Sequence, residues 1–124
     1  MILDTNALSA WADGDEEFLG SLPTSRVALP VIVIGEYLWG LRKSRHRAAL
    51  EGWLANAIGG SRVLPITLAT TVAYADVREG IQAKGRPIPQ NDTWIAALAL
   101  EHDLPIISRD SHFDLVDGVV RVAW

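Results

Sequence analysis

The chain has 124 residues, 49% hydrophobic and 21% charged, the balance of one folded domain rather than of a disordered segment. It holds no cysteine, which excludes disulfide scaffolds, thiolate zinc sites and cysteine nucleophiles. Eleven Lys and Arg against fifteen Asp and Glu leave a net charge of −4, which taken alone argues against a nucleic-acid partner, although where the acids fall matters more than their sum.

Short β-like runs alternate with helical stretches, the pattern of a parallel α/β sheet. Met1 to Leu3 reads as a buried strand and Asn6 to Trp11 as a short helix. Asp13-Gly14-Asp15-Glu16-Glu17 opens a second helix, with acids in the first turn where the helix dipole favours them. Arg26 to Leu29 is a second strand, stopped at Pro30. Val31 to Arg42 is ambiguous. Its β-branched start could extend the strand, whereas Pro30 at a first turn and the continuation Glu36-Tyr37-Leu38-Trp39 favour a helix.

Ser44 to Ile58 forms a further helix ending at Gly59-Gly60, and Arg62 to Leu64 is a third strand. Thr67 caps a long helix reaching Lys84, with Gly85 as its stop. Arg86-Pro87-Ile88-Pro89 is a stiff connector. Asn91, read as a cap, starts a helix to His102 whose centre, Trp94 to Leu100, is apolar all round and so buried on most sides. Pro105 to Ser108 and Val119 to Val122 are the last two strands. The expectation is a single domain over residues 1–124, with a central parallel sheet of four to five strands. The longest apolar runs are too short to span a bilayer, and a charge at the fourth residue is unlike a signal peptide. A soluble cytoplasmic protein is expected.

In an open parallel sheet, ligands bind outside the carboxyl ends of the strands. Asp4 and Asp110 follow the first and fourth strands, Glu36 falls in the first turns of the helix leaving the second, and Asp92 in the first turn of the helix that leads into the fourth. Each acid alone fits a bland role as a cap, turn or solvated residue. Together, four carboxylates from four segments can converge on one point, where they would repel one another and raise a pKa unless a cation intervened. Mg²⁺ or Mn²⁺, as one or two ions, suits such oxygen ligands. Without these four, eleven acids balance eleven bases, so the chain's net acidity equals the candidate site.

Thr5, Asn6 and Ser108 offer neighbouring oxygens or an amide, and Asp114 lies four residues beyond Asp110. The stretch Arg42-Lys43-Ser44-Arg45-His46-Arg47 reads either as a solvated helix junction or as a phosphate contact, and Lys84, Arg86 and Arg109 lie on loops that could reach the same edge. His46, His102 and His112 show no metal-ligand spacing and read as surface or structural residues. Trp11 and Trp39, with Leu8, Phe18, Leu38 and Leu41, either pack the core or line an apolar groove for a partner helix.

The opening Met1-Ile2-Leu3-Asp4-Thr5-Asn6 resembles the start of PIN-domain ribonucleases, in particular VapC-type toxins of toxin–antitoxin modules. Val33 to Gly40 resembles their second motif, with Glu36 as its acid; Asn91 to Ala97 resembles the third, with Asp92; Pro105 to Phe113 resembles the fourth, with Asp110. The four motifs occur in order across essentially the whole chain. The resemblance implies a three-layer α/β/α fold and a Mg²⁺- or Mn²⁺-dependent endoribonuclease acting on transfer or ribosomal RNA. It also implies a homodimer, and an antitoxin of the VapB type that wraps the toxin in a higher assembly. One departure is Arg109, where many members carry Asn; a cation there suits RNA phosphate or an antitoxin acid.

On this reading Asp4, Asp92 and Asp110 hold the main ion, Glu36 helps hold it, a second ion or the attacking water, and hydrolysis leaves a 5′-phosphate and a 3′-hydroxyl. Arg42, Lys43, Arg86 and Arg109 are the candidate RNA contacts. A haloacid-dehalogenase-type phosphatase also starts from an acid after the first strand, but it wants a second Asp where this chain has Asn6, and a Lys following a strand. A receiver-like domain wants an acid after the third strand, which here runs into Leu64-Pro65-Ile66. A catalytically silent PIN-like binding domain is the remaining alternative.

Overall fold

A computed structural model describes residues 1–22 and 26–124. Five short parallel strands form one sheet in the order β3-β2-β1-β4-β5, with helices on both sides. The elements are β1 (Ile2–Leu3), α1 (Thr5–Asp13), α2 (Glu16–Ser21), β2 (Ala28–Pro30), α3 (Val31–Gly40), α4 (Arg47–Gly59), β3 (Arg62–Leu64), α5 (Leu68–Ala83), α6 (Gln90–His102), β4 (Ile106–Ile107) and β5 (Arg121–Val122). A 3₁₀ turn, Ser111–Leu115, lies between β4 and β5. The expected α/β/α sandwich is present. Among the described residues no helix is long and apolar enough to cross a membrane.

Ile2 pairs with Ala28 on one side and with Ile106 on the other, so β1 is the strand from which the sheet grows in both directions. Such a reversal opens a crevice at the carboxyl ends of the two diverging strands, here β1 and β4. Ile2, Leu3, Leu29, Ile106 and Ile107 are fully buried, as a parallel sheet covered on both faces requires.

The ambiguous segment after β2 is a helix. Pro30 ends the strand in register with Leu64, and with φ at −61° it occupies the cap position of α3 without a side-chain bond. The β-branched residues that follow are helical because the turn buries Val33 and Tyr37 against the sheet. At α6 the cap reading of Asn91 is corrected. Pro89 occupies the cap position and the helix starts at Gln90, so Asn91 lies inside the first turn. The centre of α6 is as buried as its composition demands, with Ile95, Ala96, Ala97 and Leu98 inaccessible.

Thr67 does cap α5: its N–H donates to Thr70 Oγ1 at 3.0 Å in a capping box. Thr70 is itself buried and donates to Glu101 near the end of α6. The bond ties the start of α5 to the end of α6, which makes the two helices an antiparallel hairpin. The connector after α5 therefore meets the first turn of α6, where Asp92 lies.

Gly118 holds the return from the 3₁₀ turn to β5 at φ +83°, and a Cβ there would meet Leu100 Cδ2 at 3.1 Å. Gly118→Ala is therefore expected to cost about 1–2 kcal/mol in urea unfolding, from left-handed strain plus contact with α6. An unchanged midpoint would show that the turn relaxes freely.

Candidate active site

Asp4 is only 4% exposed and sits where β1 hands over to α1. Its Oδ1 caps α1 by accepting from the Thr5 N–H at 2.7 Å. Its Oδ2 accepts from Ser108 Oγ at 2.7 Å and from Asn6 Nδ2 at 3.2 Å. Ser108, fully buried at the end of β4, also accepts from the Asp110 N–H at 2.9 Å. Asn6 bridges again, reaching Ser108 Oγ at 3.3 Å and accepting from the Arg109 N–H at 3.3 Å. One hydroxyl and one amide thus lock the ends of β1 and β4 together.

Asp92 enters from α6 and is 9% exposed. The His112 ring lies between it and Asp110, with Nδ1 at 3.1 Å from Asp92 Oδ2 and 2.9 Å from Asp110 Oδ1. The His112 backbone N–H also donates to Asp110 Oδ1 at 2.9 Å, so Asp110 caps the 3₁₀ turn. Asp92, Asp110 and His112 offer three ligand atoms within 4.8 Å of one another. The reading of His112 as a surface or structural residue becomes specific: its half-exposed ring bridges two of the four acids. Its partner Asp92 is 20 residues away, so no local spacing could reveal it; its place two residues after Asp110 was the available signal.

The electrostatics follow from this crowding. Burial pushes the Asp4 carboxyl above its ordinary 3.8; hydrogen bonds from Ser108, Thr5 and Asn6 oppose the shift, and the Asp110 charge adds to it. Burial also pushes Asp92 up from 3.8, to about 6, with His112 opposing and the charges of Asp4 and Asp110 assisting. The hydrogen bond to Asp92 in turn raises His112 above its ordinary 6.5.

Glu36 lies on α3, on the wall of a separate pocket of about 350 Å³ that also touches Asn91, the neighbour of Asp92 on α6. Its Oε1 is buried without a hydrogen-bond partner, and so is Thr5 Oγ1. Buried carboxylate oxygens are ordinarily satisfied. A hard divalent cation fits the three crowded carboxylates, whose oxygens are what such an ion binds.

The remaining expected residues divide. Asp114 points both oxygens at Arg121, at 2.8 Å each, and does not join the acids. Arg109 is engaged within the chain, with Nη2 3.8 Å from Asp15 and from Glu17, and its guanidinium 4.7 Å over the Trp124 ring. Arg42 and Lys43 lie past the far end of α3, roughly 9 Å along the helix direction from Glu36 and away from the carboxyl edge. Arg86 lies on the connector and borders a pocket that includes His112. Of the two readings for the segment around Trp11 and Trp39, core packing or an apolar groove, the described residues favour core packing. Leu8, Phe18 and Leu41 are core residues, Trp11 packs edge-on against Trp53 at 5.2 Å, and Trp39 alone is 77% exposed.

The family model for the PIN domain matches residues 1–119. The chain is 28% identical to ribonuclease VapC5 of Mycobacterium tuberculosis over 98% of its own length and 90% of that protein's. It is 31% identical to the VapC ribonuclease Y4jK of Sinorhizobium fredii, covering 90% of this chain and 87% of the relative. Among solved structures, it superposes on a chain of VapBC2 from Rickettsia felis, bound there to a promoter DNA fragment. The TM-score is 0.89 at 19% identity, over 99% of this chain and 97% of that one. A chain of FitAcB from Neisseria gonorrhoeae gives a TM-score of 0.81 at 26% identity, covering 97% of this chain and 94% of that one.

Asp92 binds its proton more tightly in the fold than in the unfolded chain. The folded state therefore loses stability as pH rises from 3.8 to about 6, and carries the whole penalty above that. Asp92→Asn removes the charge but keeps an oxygen for His112. Metal-free Asp92→Asn is expected to melt roughly 5 °C above wild type at alkaline pH, on the order of 1 kcal/mol, with the gain fading as the pH falls to 3.8. A lower melting temperature throughout would show that the carboxylate is not under strain.

Proposed function

The chain belongs to the PIN-domain family, and we propose that it is a VapC-type endoribonuclease, the toxin of a type II toxin–antitoxin module, dependent on Mg²⁺ or Mn²⁺. The observation that carries this is the packing of Asp4, Asp92 and Asp110 at the β1/β4 crevice. The ribonuclease names of its curated relatives support the activity, and their VapC names the toxin assignment.

Asp4, Asp92 and Asp110 would hold the ion, with Glu36 as the fourth carboxylate. Once bound, the ion supplies Lewis-acid stabilisation of the scissile phosphate and a lowered pKa for the attacking water. The chain's own residues fix the geometry. Thr5 N–H and Ser108 Oγ hold each Asp4 oxygen in place, and Asn6 joins that strand end to the Arg109 backbone. His112 keeps Asp92 and Asp110 apart and orients both, reducing their repulsion. Glu36, accepting no hydrogen bond at Oε1, is the free acceptor for a water proton. The products are a 5′-phosphate and a 3′-hydroxyl.

Transfer or ribosomal RNA is the substrate in this reading, a VapB-type antitoxin the partner and a homodimer the working unit, in the cytoplasm. The solved VapBC complexes among the structural neighbours support the partner. Exposed apolar side chains on α3 (Val31, Trp39) and α5 (Leu68, Val72) leave surface for such contacts.

Purified chain should cut a mixed transfer and ribosomal RNA pool into discrete fragments with Mg²⁺ or Mn²⁺, and EDTA should stop it. Asp4→Asn and Asp92→Asn should each lower the rate at least about 100-fold while remaining folded by circular dichroism. Mn²⁺ at roughly a hundred times its Kd should raise wild-type stability by about 2.7 kcal/mol, and that of Asp92→Asn by much less. Wild-type cleavage by Asp92→Asn would overturn the site. Metal binding without cleavage of any RNA by the antitoxin-free chain would favour a silent binding domain.

A further inference from the structure

The cations of the chain sort by partner. Arg47 pairs with Glu51, Lys84 with Asp117, Arg109 with Asp15 and Glu17, and Arg121 with Asp114. Among the described residues the other seven Lys and Arg make no ion pair, and two of them, Arg78 and Arg86, line one pocket of about 390 Å³. That volume is in the range of sites that hold small organic ligands, about 300–1,000 Å³. Ile81 and Ile88 give it apolar walls, and Gln82 adds an amide that can both donate and accept.

Arg78 is oriented from behind. Its Nη1 donates to the Tyr74 hydroxyl at 3.1 Å, its guanidinium lies 5.7 Å from the Tyr74 ring centroid, and Tyr74 stacks on Trp94 at 3.8 Å. The pocket adjoins the acids from two directions. Thr93 lines it directly after Asp92. Gly85, Arg86 and Pro87 wall both this pocket and a second one, of about 500 Å³, which contains His112. The connector thus separates the two-arginine pocket from one lined by His112, the residue that contacts Asp92 and Asp110.

An apolar slot edged by an amide and planar cations, across the connector from the His112 pocket, matches an unstacked nucleotide. We propose that this pocket is a base-binding subsite for the substrate RNA: a nucleotide flanking the cut crosses the connector, places its phosphate on Arg86 and inserts its base beside Arg78 and Gln82. This rests on the ribonuclease reading above. It gives the cleaved strand a direction across the fold, and places sequence preference in residues outside the acidic centre. Arg42, Lys43 and Arg45, at the other end of α3, have no part in it.

The test uses full-length chain carrying Asp92→Asn, a fluorescein-labelled single-stranded 12-nucleotide RNA of mixed sequence, and anisotropy over a salt series. Arg78→Ala and Arg86→Ala should each weaken binding about 5- to 10-fold. Arg86→Ala should also flatten the salt dependence by about 0.7, the share of one phosphate contact on a single strand. Arg45→Ala should change binding less than twofold. Gln82→Ala should narrow the spread of affinities among the four homopolymeric 12-mers without abolishing binding. Equal losses from Arg45→Ala and Arg78→Ala would overturn the subsite, since only general electrostatics would remain. Unchanged binding in Arg78→Ala and Arg86→Ala, with the parent binding well, would overturn it as well. If the parent binds neither this 12-mer nor the transfer and ribosomal RNA pool, the ribonuclease reading fails with the subsite; if it binds the pool but not the 12-mer, only the subsite fails. All four residues are exposed, so each variant should keep the wild-type circular-dichroism spectrum.

Discussion

Three carboxylates held against one another at the end of a hydrophobic sheet are the constraint on which the rest depends. Asp4 and Asp92 are both buried; the Asp110 charge raises the proton affinity of both, and the Asp4 charge adds to that of Asp92. Isolated buried charges are not tolerated at this density. The fold answers with neutral donors and one imidazole: Thr5 N–H, Ser108 Oγ and Asn6 Nδ2 on Asp4, and His112 between Asp92 and Asp110. These groups lower the repulsion without cancelling it, which is the condition a cation-binding site needs.

Much of this was legible from the order of the segments. Acids placed after strand ends, or in the first turn of a helix entering a strand, must meet at the carboxyl edge once the sheet is parallel. The edge assignment of Asp4, Asp92 and Asp110 therefore follows from connectivity alone. The apolar centre of α6 announced its burial, and Pro30 marked a boundary whose far side helix and strand propensities contested. Tertiary burial of Val33 and Tyr37 decided for helix. Legibility failed where partners are distant in sequence. His112 meets Asp92 through the 3₁₀ turn, Arg109 meets Asp15 and Glu17 across the sheet edge, and Asp114 is consumed by Arg121. Asn91 failed for a different reason: Pro89 preset the backbone one residue before Gln90, so the best cap-forming residue nearby was not at the cap.

The cations obey the same logic as the acids, in reverse. A chain of net charge −4 must still approach a polyanion if it cuts RNA, so its free positive charge has to be local. Four of the basic side chains are neutralised within the chain, among them Arg109 and Arg121 beside the site. That pairing gives the Arg109 departure from the family pattern a structural role. It fastens the loop after β4 to α2 and to Trp124, so the backbone that carries Asp110 is braced from outside.

On the proposed function, stability and activity are therefore opposed at one place. Raised carboxyl pKa values show that the metal-free fold resists full ionisation of the site, while the same ionised oxygens are what a divalent ion requires. On the proposed function, part of an ion's binding free energy would go to relieving that repulsion, so affinity for metal and stability without it would trade against each other. A substitution that relaxes the acids gains stability and loses affinity; one that removes the Ser108 or Asn6 braces loses both, because the Asp4 carboxylate would then be buried without its donors. That asymmetry separates the residues that hold a ligand from the residues that hold the holders, and it places Ser108 and Asn6 in the second group.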